Sequence, residues 1–340
     1  MSRVPTASSL FRQAVYNCGP TRLVIDFEDP GLHESLHGLL SQYDAPWAAL
    51  GNAIHVIVET NPLPGLTSGI TGSYLALQRL RVDRNDGRLV SIGQLGSRME
   101  FEMNAGQARV LVPACPDRPA LLEEVEQQFV LLLARAWVQA GWTPMHAGTL
   151  VPPGRTSCVL LCGPSGSGKT TLTAVLLRRG WRTLGDDKVL LRLQAGASCA
   201  RALARRFHLH PEASRWFPEA GDLTDWPRYS RWTDKRVVQI EKVWPGCLLD
   251  EATPAGLVQV EQNPAGPALA IIPLDAMETL SALMRQVVIP ADATHAGPLI
   301  NCVAATAAHL RGARVLVGLH AFASPGFAEK LEQTLRRLVE

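Results

Sequence analysis

The sequence predicts an α/β core preceded by a β-rich, α+β accessory domain. Three observations point there. Residues 163–170 read Gly-Pro-Ser-Gly-Ser-Gly-Lys-Thr, between the apolar run Cys158–Cys162 and the helix-like run Thr171–Arg179. The chain before them alternates apolar and polar residues in short runs separated by turn residues, which is the period of half-buried strands. The length of 340 residues exceeds a typical domain of about 100 to 200 residues, so two cores are expected. The accessory domain is placed at 1–142 and the core at 143–340.

The alternating runs are Thr21–Phe27, Ala53–Glu59, Leu89–Leu95, Met99–Met103 and Ala108–Pro113, with Asn-Asp-Gly at 85–87 as a hairpin turn. Antiparallel strands are expected from them. A helix follows at Leu121–Trp137, with a polar start and apolar later turns. That pattern suits an element packed between two domains.

In the core, strands are expected at His146–Val151, Cys158–Cys162 and Arg182–Leu193, then at Val237–Ile240 and Arg314–Leu319. Helices are expected at 274–286, near 298–310 and at 326–339. The stretch Glu212–Asp234, rich in Trp, Pro, Asp and Arg, reads as an irregular surface excursion, and loops of that length are often functional.

The motif at 163–170 fits G-x-x-x-x-G-K-[ST] in full and in the strand-to-helix context that the motif requires. Gly163, Gly166 and Gly168 allow a tight turn, so that the amides of Pro164 to Thr171, apart from proline itself, face an anion together with Ser165 and Ser167. In such a P-loop Lys169 reaches the terminal phosphates of ATP and the Thr170 hydroxyl ligates Mg2+.

Composition narrows the setting. The chain is 46% hydrophobic and 19% charged, as an ordinary folded protein is, and its net charge of +2 offers no global field for nucleic acid or acidic lipid. Seven cysteines, an odd number without a C-x-x-C pair, argue against a disulfide framework and for a reducing cytoplasm. Residues 1–10 lack the apolar stretch of a secretion signal. The most apolar helical run, Phe129–Val138, contains Arg135 and is too short to span a membrane.

Asp186 and Asp187 follow Lys169 by 17 and 18 residues. After a helix and a turn, that spacing returns two carboxylates to the sheet edge beside the loop, where α/β proteins bind ligands. Near a triphosphate, one carboxylate can hold magnesium while the other takes the proton of an attacking hydroxyl. Away from such a loop, an Asp-Asp pair is a turn or a helix cap. His146 lies on the strand pair leading to the loop, with small neighbours Ala147 and Gly148, and can share a proton or contact phosphate.

The runs His146-Ala-Gly-Thr-Leu, Gly163 to Thr170 and Arg179-Gly-Trp-Arg-Thr-Leu-Gly-Asp-Asp-Lys-Val together resemble the catalytic core of the HPr kinase/phosphorylase family. The resemblance is strongest over 145–193 and weaker to about 325. It implies a phosphoenolpyruvate-carboxykinase-like α/β core, ATP with magnesium, and phosphorylation of a serine hydroxyl. It also implies Asp186 as catalytic base, Asp187 as its metal-linked or orienting partner, and His146 as an active-site histidine. The glycine-rich signature of the bifunctional members is missing; the nearest stretch, Glu241–Gly246, matches poorly. The resemblance therefore does not extend to phosphorolysis. The form is closer to HPr-kinase-like proteins of bacterial gene clusters, some of which phosphorylate ribosomally made peptides, so a peptide or small-protein acceptor is expected. Homo-oligomers occur in the family and are among the expected partners.

Of the basic residues after the core, Arg201, Arg205, Arg206, His208, His210, Arg228 and Arg231 are expected on a solvated face, whereas Lys235 and Arg236 are placed at a cleft as phosphate or substrate contacts. Trp216, Trp226 and Trp232 either hold a peptide or pack the excursion on the core. The leading expectation is an ATP- and Mg2+-dependent kinase. Its alternatives are a nucleotide-binding regulator or scaffold without transfer, and an ATPase driving motion or assembly.

Overall fold

A computed structural model describes residues 12–43, 53–61, 80–85, 87–230, 233–287, 293–318 and 320–340. The stretch 1–10, the turn residue Asp86, Arg231, Trp232 and Leu319, each invoked above, lie outside the described residues. The chain is mixed α/β and divides into two units, 1–140 and 141–340.

The first unit runs β1 (Arg12–Cys18), β2 (Thr21–Phe27), α1 (Pro30–Leu40), β3 (Ala53–Asn61), β4 (Leu80–Asn85), β5 (Arg88–Gly93), β6 (Arg98–Glu102), β7 (Gln107–Pro113) and α2 (Arg118–Gln139). The seven strands form one sheet in the order β1-β2-β3-β7-β6-β5-β4. Its hairpins are antiparallel as expected, but β2–β3 and β3–β7 pair in parallel. Period-two alternation reports which face is buried and is silent on strand direction; α1 supplies the crossover that a parallel pair needs.

α2 starts where Asp117 caps the Ala120 amide and Pro119 occupies the first turn. The apolar later turns carry the buried Phe129, Leu132 and Trp137. Buried Glu124 accepts from the Leu95 and Ser97 amides, and Trp137 Nε1 donates to Cys18 O, so α2 is tied to its own sheet.

The second unit runs β8 (Thr143–Met145), β9 (Gly148–Leu150), β10 (Ser157–Cys162), α3 (Lys169–Leu177), β11 (Val189–Gln194), β12 (Ala197–Ala202), β13 (Phe207–Leu209), β14 (Arg228–Ser230), β15 (Thr233–Val238), α4 (Ile240–Val243), β16 (Glu251–Gln262), β17 (Leu269–Leu274), α5 (Ala276–Met284), α6 (Ala293–Ala307), β18 (Arg311–Val317) and α7 (Phe327–Val339). β10 and β18 flank β16 in parallel, and the remaining strands of the eight-stranded sheet extend it antiparallel.

β10 is buried on both faces, which is why it reads as an unbroken apolar run. Cys158, Leu160 and Cys162 share a core with Ala282 and Leu283 of α5 and Val303 of α6. Val159 and Leu161 share another with Leu172 and Leu176 of α3 and Leu331 and Leu335 of α7. Helices therefore cover the sheet on two sides. A third core seats the small sheet β13-β15-β14 on Ala174 and Leu177 of α3, with Phe207, Leu209 and Val238.

Three expectations change in this unit, the first being that the strand expected over His146–Val151 is reduced to β9. The central strand β16 is not among the strands expected above; it contains Pro254 and Gly256, which disfavour a regular strand, and a register shift opposite Cys158 and Val159 accommodates them. The strand expected over 182–193 begins only at Val189. Before it, the Thr183 hydroxyl donates to Thr149 O (2.8 Å), the Thr149 hydroxyl accepts from Leu184 N (2.7 Å), and Thr149 N donates to Gly185 O (3.1 Å). This buried pair of threonines fixes the backbone that leads to Asp186.

Gly148 is required at this crossing, since a Cβ there would stand 2.3 Å from Asp186 O. Gly148→Ala is expected to cost about 1–3 kcal/mol by overpacking, read as a lower urea midpoint with unchanged slope.

Candidate functional site

The site is built where β10 ends and α3 begins. Gly163 has φ +141°, and a Cβ on it would lie 2.3 Å from Val260 O. Gly166 and Gly168 have φ +80° and +101°, which favour glycine. α3 starts at Lys169 with Gly168 at its cap and no side-chain cap bond, so the first-turn amides are left for a ligand or water. Lys169 Nζ donates to Gly163 O at 2.6 Å and Pro164 O at 3.0 Å, spanning the base of the loop. Burial lowers its pKa, against the opposing pull of Asp186 and Asp187. From the far end of β16, Gln262 Nε2 donates to Gly166 O at 2.6 Å.

A cavity of about 450 Å³ opens on the loop. Its walls are His146, the segment 165–171, Asp186, Asp187, the segment 208–210, Tyr229 and Lys235. The structure thus gathers most of the residues singled out above around one space. Gly163 and Pro164 stand behind it and serve through their carbonyls, which hold Lys169.

Asp186 is 2% exposed. Its Oδ2 accepts from Thr170 Oγ1 at 2.9 Å and from His208 N at 3.4 Å, while Oδ1 is buried with no protein partner among the described residues. Burial, then the neighbouring Asp187 charge, raises its pKa to about 7. Asp187 moves the other way: burial works against its charge, but Lys188 (Nζ to Oδ2, 3.8 Å) and the nearby histidines and Lys169 outweigh it and lower the pKa. Asp187 Oδ1 is likewise buried and unpartnered among the described residues. Near neutral pH the pair therefore offers one carboxyl that can take or hold a proton and one that stays charged.

His146 lies between β8 and β9, anchored by its amide to Gln286 O at 2.7 Å, and burial lowers its ring pKa. His208 is expected from the sequence on a solvated face. It is instead 7% exposed, its pKa is pushed down to about 4 by burial, and its ring lies 3.8 Å from that of Tyr229. The available signal was its position between Phe207 and Leu209 in an apolar triplet. Tyr229, Gln262 and the Thr149–Thr183 pair carried no comparable signal.

Lys235 reaches the cavity and Arg236 does not. The two are successive residues of β15 and so point to opposite faces; Arg236 Nη1 reaches Trp226 O at 3.5 Å. Glu241–Gly246 closes on itself, the Gly246 amide donating to Glu241 at 2.7 Å. Trp216 packs on Phe322, and Trp226 Nε1 donates to Ala220 O, so both hold the excursion on the core. Arg201, Arg205 and Arg228 pair with Glu251, Asp250 and Asp234.

The Thr170 hydroxyl and the carboxylate oxygens of Asp186 and Asp187 are of the hard-donor type that magnesium takes, while among the described residues no group of three or more His, Cys, Asp or Glu is placed to hold a metal ion by itself. Among the described residues no helix is long and apolar enough to cross a membrane.

No protein-family model and no curated protein matches the chain. Among solved structures the chain is similar to the HPr(Ser) kinase/phosphatase from Coxiella burnetii, at a TM-score of 0.30 and 13% identity, covering 57% of this chain and 96% of that one.

The Asp186 shift has a signed consequence for ligand-free protein in chelator. A carboxyl raised to about 7 contributes stability that is complete below its unfolded pKa of about 3.9 and is lost as pH rises through the folded value. Asp186→Asn keeps an oxygen for Thr170 and His208 and removes the buried charge. Its melting temperature is expected to exceed that of the wild type by several degrees at pH 8, with the gap narrowing as pH falls below about 7 and closing near pH ~4, as followed by calorimetry.

Proposed function

We propose that this chain is an ATP- and Mg2+-dependent kinase that transfers the γ-phosphoryl group to a hydroxyl, serine in a peptide or small protein. The observation that carries the reading is the convergence on one cavity of the glycine loop, Lys169, Thr170 and two carboxylates with opposed pKa shifts.

The roles follow from position. The amides of 165–171 other than Ser167, whose N–H donates to Pro164 O at 3.2 Å, bind phosphate oxygens, and Lys169 exchanges its carbonyl partners at 163 and 164 for the terminal phosphates. Thr170 and Asp187 would hold magnesium, which when bound neutralises charge on the phosphates. Asp186 takes the acceptor proton on Oδ1, its other oxygen being held by Thr170 and His208 N. Lys235 complements negative charge in the same space, and His146, kept neutral by burial, lines it as a hydrogen-bonding ring. Rate enhancement comes mainly from positioning and charge neutralisation. Free thiols at all seven cysteines suit a reducing, ATP-rich cytoplasm.

The test is incubation with Mg2+ and γ-labelled ATP in the presence of synthetic peptides encoded by the neighbouring reading frames, followed by mass spectrometry. Phosphoserine on one peptide is expected, with Asp186→Asn and Lys169→Ala each reducing transfer by about 10²-fold or more. Binding of ATP without transfer to peptide or water would favour a nucleotide-binding regulator instead.

A further inference from the structure

We infer that His208 and Tyr229 form the acceptor side of this cavity, with His208 Nε2 hydrogen-bonding the oxygen that attacks the γ-phosphorus; the inference rests on the phosphotransfer reading above.

Three observations support it. His208 is 7% exposed, yet its Nε2 has no hydrogen-bond partner among the described residues. A buried polar atom without a partner is costly, and the cavity it lines is where a ligand can supply one. Second, the residue is held from both ends. Its amide donates to Asp186 Oδ2 at 3.4 Å, and its ring lies against Tyr229 with centroids 3.8 Å apart and planes at 34°. The imidazole is therefore oriented before any ligand arrives. Third, both residues come from the small sheet β13-β15-β14, a different element from the loop that receives the donor. In-line transfer needs the acceptor to enter from a wall that does not hold the leaving phosphates. Tyr229, 44% exposed, stands on that wall where solvent reaches it.

The chemistry balances with no added reagent. A bond forms between the acceptor oxygen and the γ-phosphorus, the bond from that phosphorus to the β,γ-bridging oxygen breaks, ADP leaves, and the hydroxyl proton passes to Asp186 Oδ1. His208 neither gains nor loses a proton; it fixes the direction of the attacking oxygen.

Water can stand in for the acceptor, so the test uses Mg-ATP alone: single-turnover phosphate release, with Mg-ATP affinity measured separately by calorimetry. His208→Ala is expected to lower turnover about tenfold or more while the affinity stays within about twofold, and His208→Gln, which restores an amide near Nε2, to recover part of the loss. Because His208 is buried, Tyr229→Ala at an exposed position provides a second reading and is expected to lower turnover in the same way by freeing the ring. Wild-type turnover in His208→Ala, or a loss matched by weaker Mg-ATP binding, overturns the inference and leaves the kinase reading standing. A wild-type protein that fails to bind Mg-ATP, or binds it without transfer to water here and to peptide in the assay above, overturns both.

Discussion

One carboxylate oxygen joins the parts of this site. Asp186 Oδ2 accepts from Thr170, at the start of α3, and from the backbone of His208 in the small sheet. The helix that follows the glycine loop, the segment after it and the small sheet therefore meet at a single buried atom. Hydrogen bonds to a charged acceptor are among the stronger ones, and removing one partner leaves the others buried and unsatisfied. The two threonines at 149 and 183 serve the same end by fixing the backbone one step earlier, and Gly148 leaves room for Asp186 O.

The electrostatics follow from that placement. Two adjacent carboxylates in a poorly solvated site cannot both be charged cheaply, so their pKa values separate. Asp186, almost fully enclosed, moves up; Asp187, beside Lys188, moves down. Without a ligand, Lys169 is retained by loop carbonyls and not by either aspartate. The cavity thus holds a buried lysine, two carboxylates of opposed shift and the unpartnered Nε2 of His208 side by side.

Much of this was legible in the sequence because it depends on local rules. The glycines of 163–168 answer to backbone geometry, and β10 is recognisable because both its faces are buried. The return of Asp186 to the loop follows from chain length after a strand and a helix. What was not legible depends on pairing. β16 contains Pro254 and Gly256, which only a bulge opposite β10 makes tolerable, and the parallel pairs of the first sheet leave no mark in an alternation that records burial alone. His208 sits in an arginine-rich segment whose solvated neighbours disguise it. Arg236 teaches the opposite lesson: adjacent residues of a strand face opposite sides, so once 233–238 is known to be a strand, Lys235 and Arg236 cannot share a cleft.

The central physical claim is that the Asp186 carboxyl, held by Thr170 and His208, is half-protonated near neutral pH while Asp187 is ionised. Titration of the aspartate side-chain carboxyl carbons by 13C NMR in ligand-free protein measures this directly. One carboxyl titrating at about 7, absent from the Asp186→Asn spectrum, is the expected result. Titration of every aspartate below pH ~5, the range of unperturbed carboxyls, or persistence of the high-pH resonance in Asp186→Asn, would contradict it.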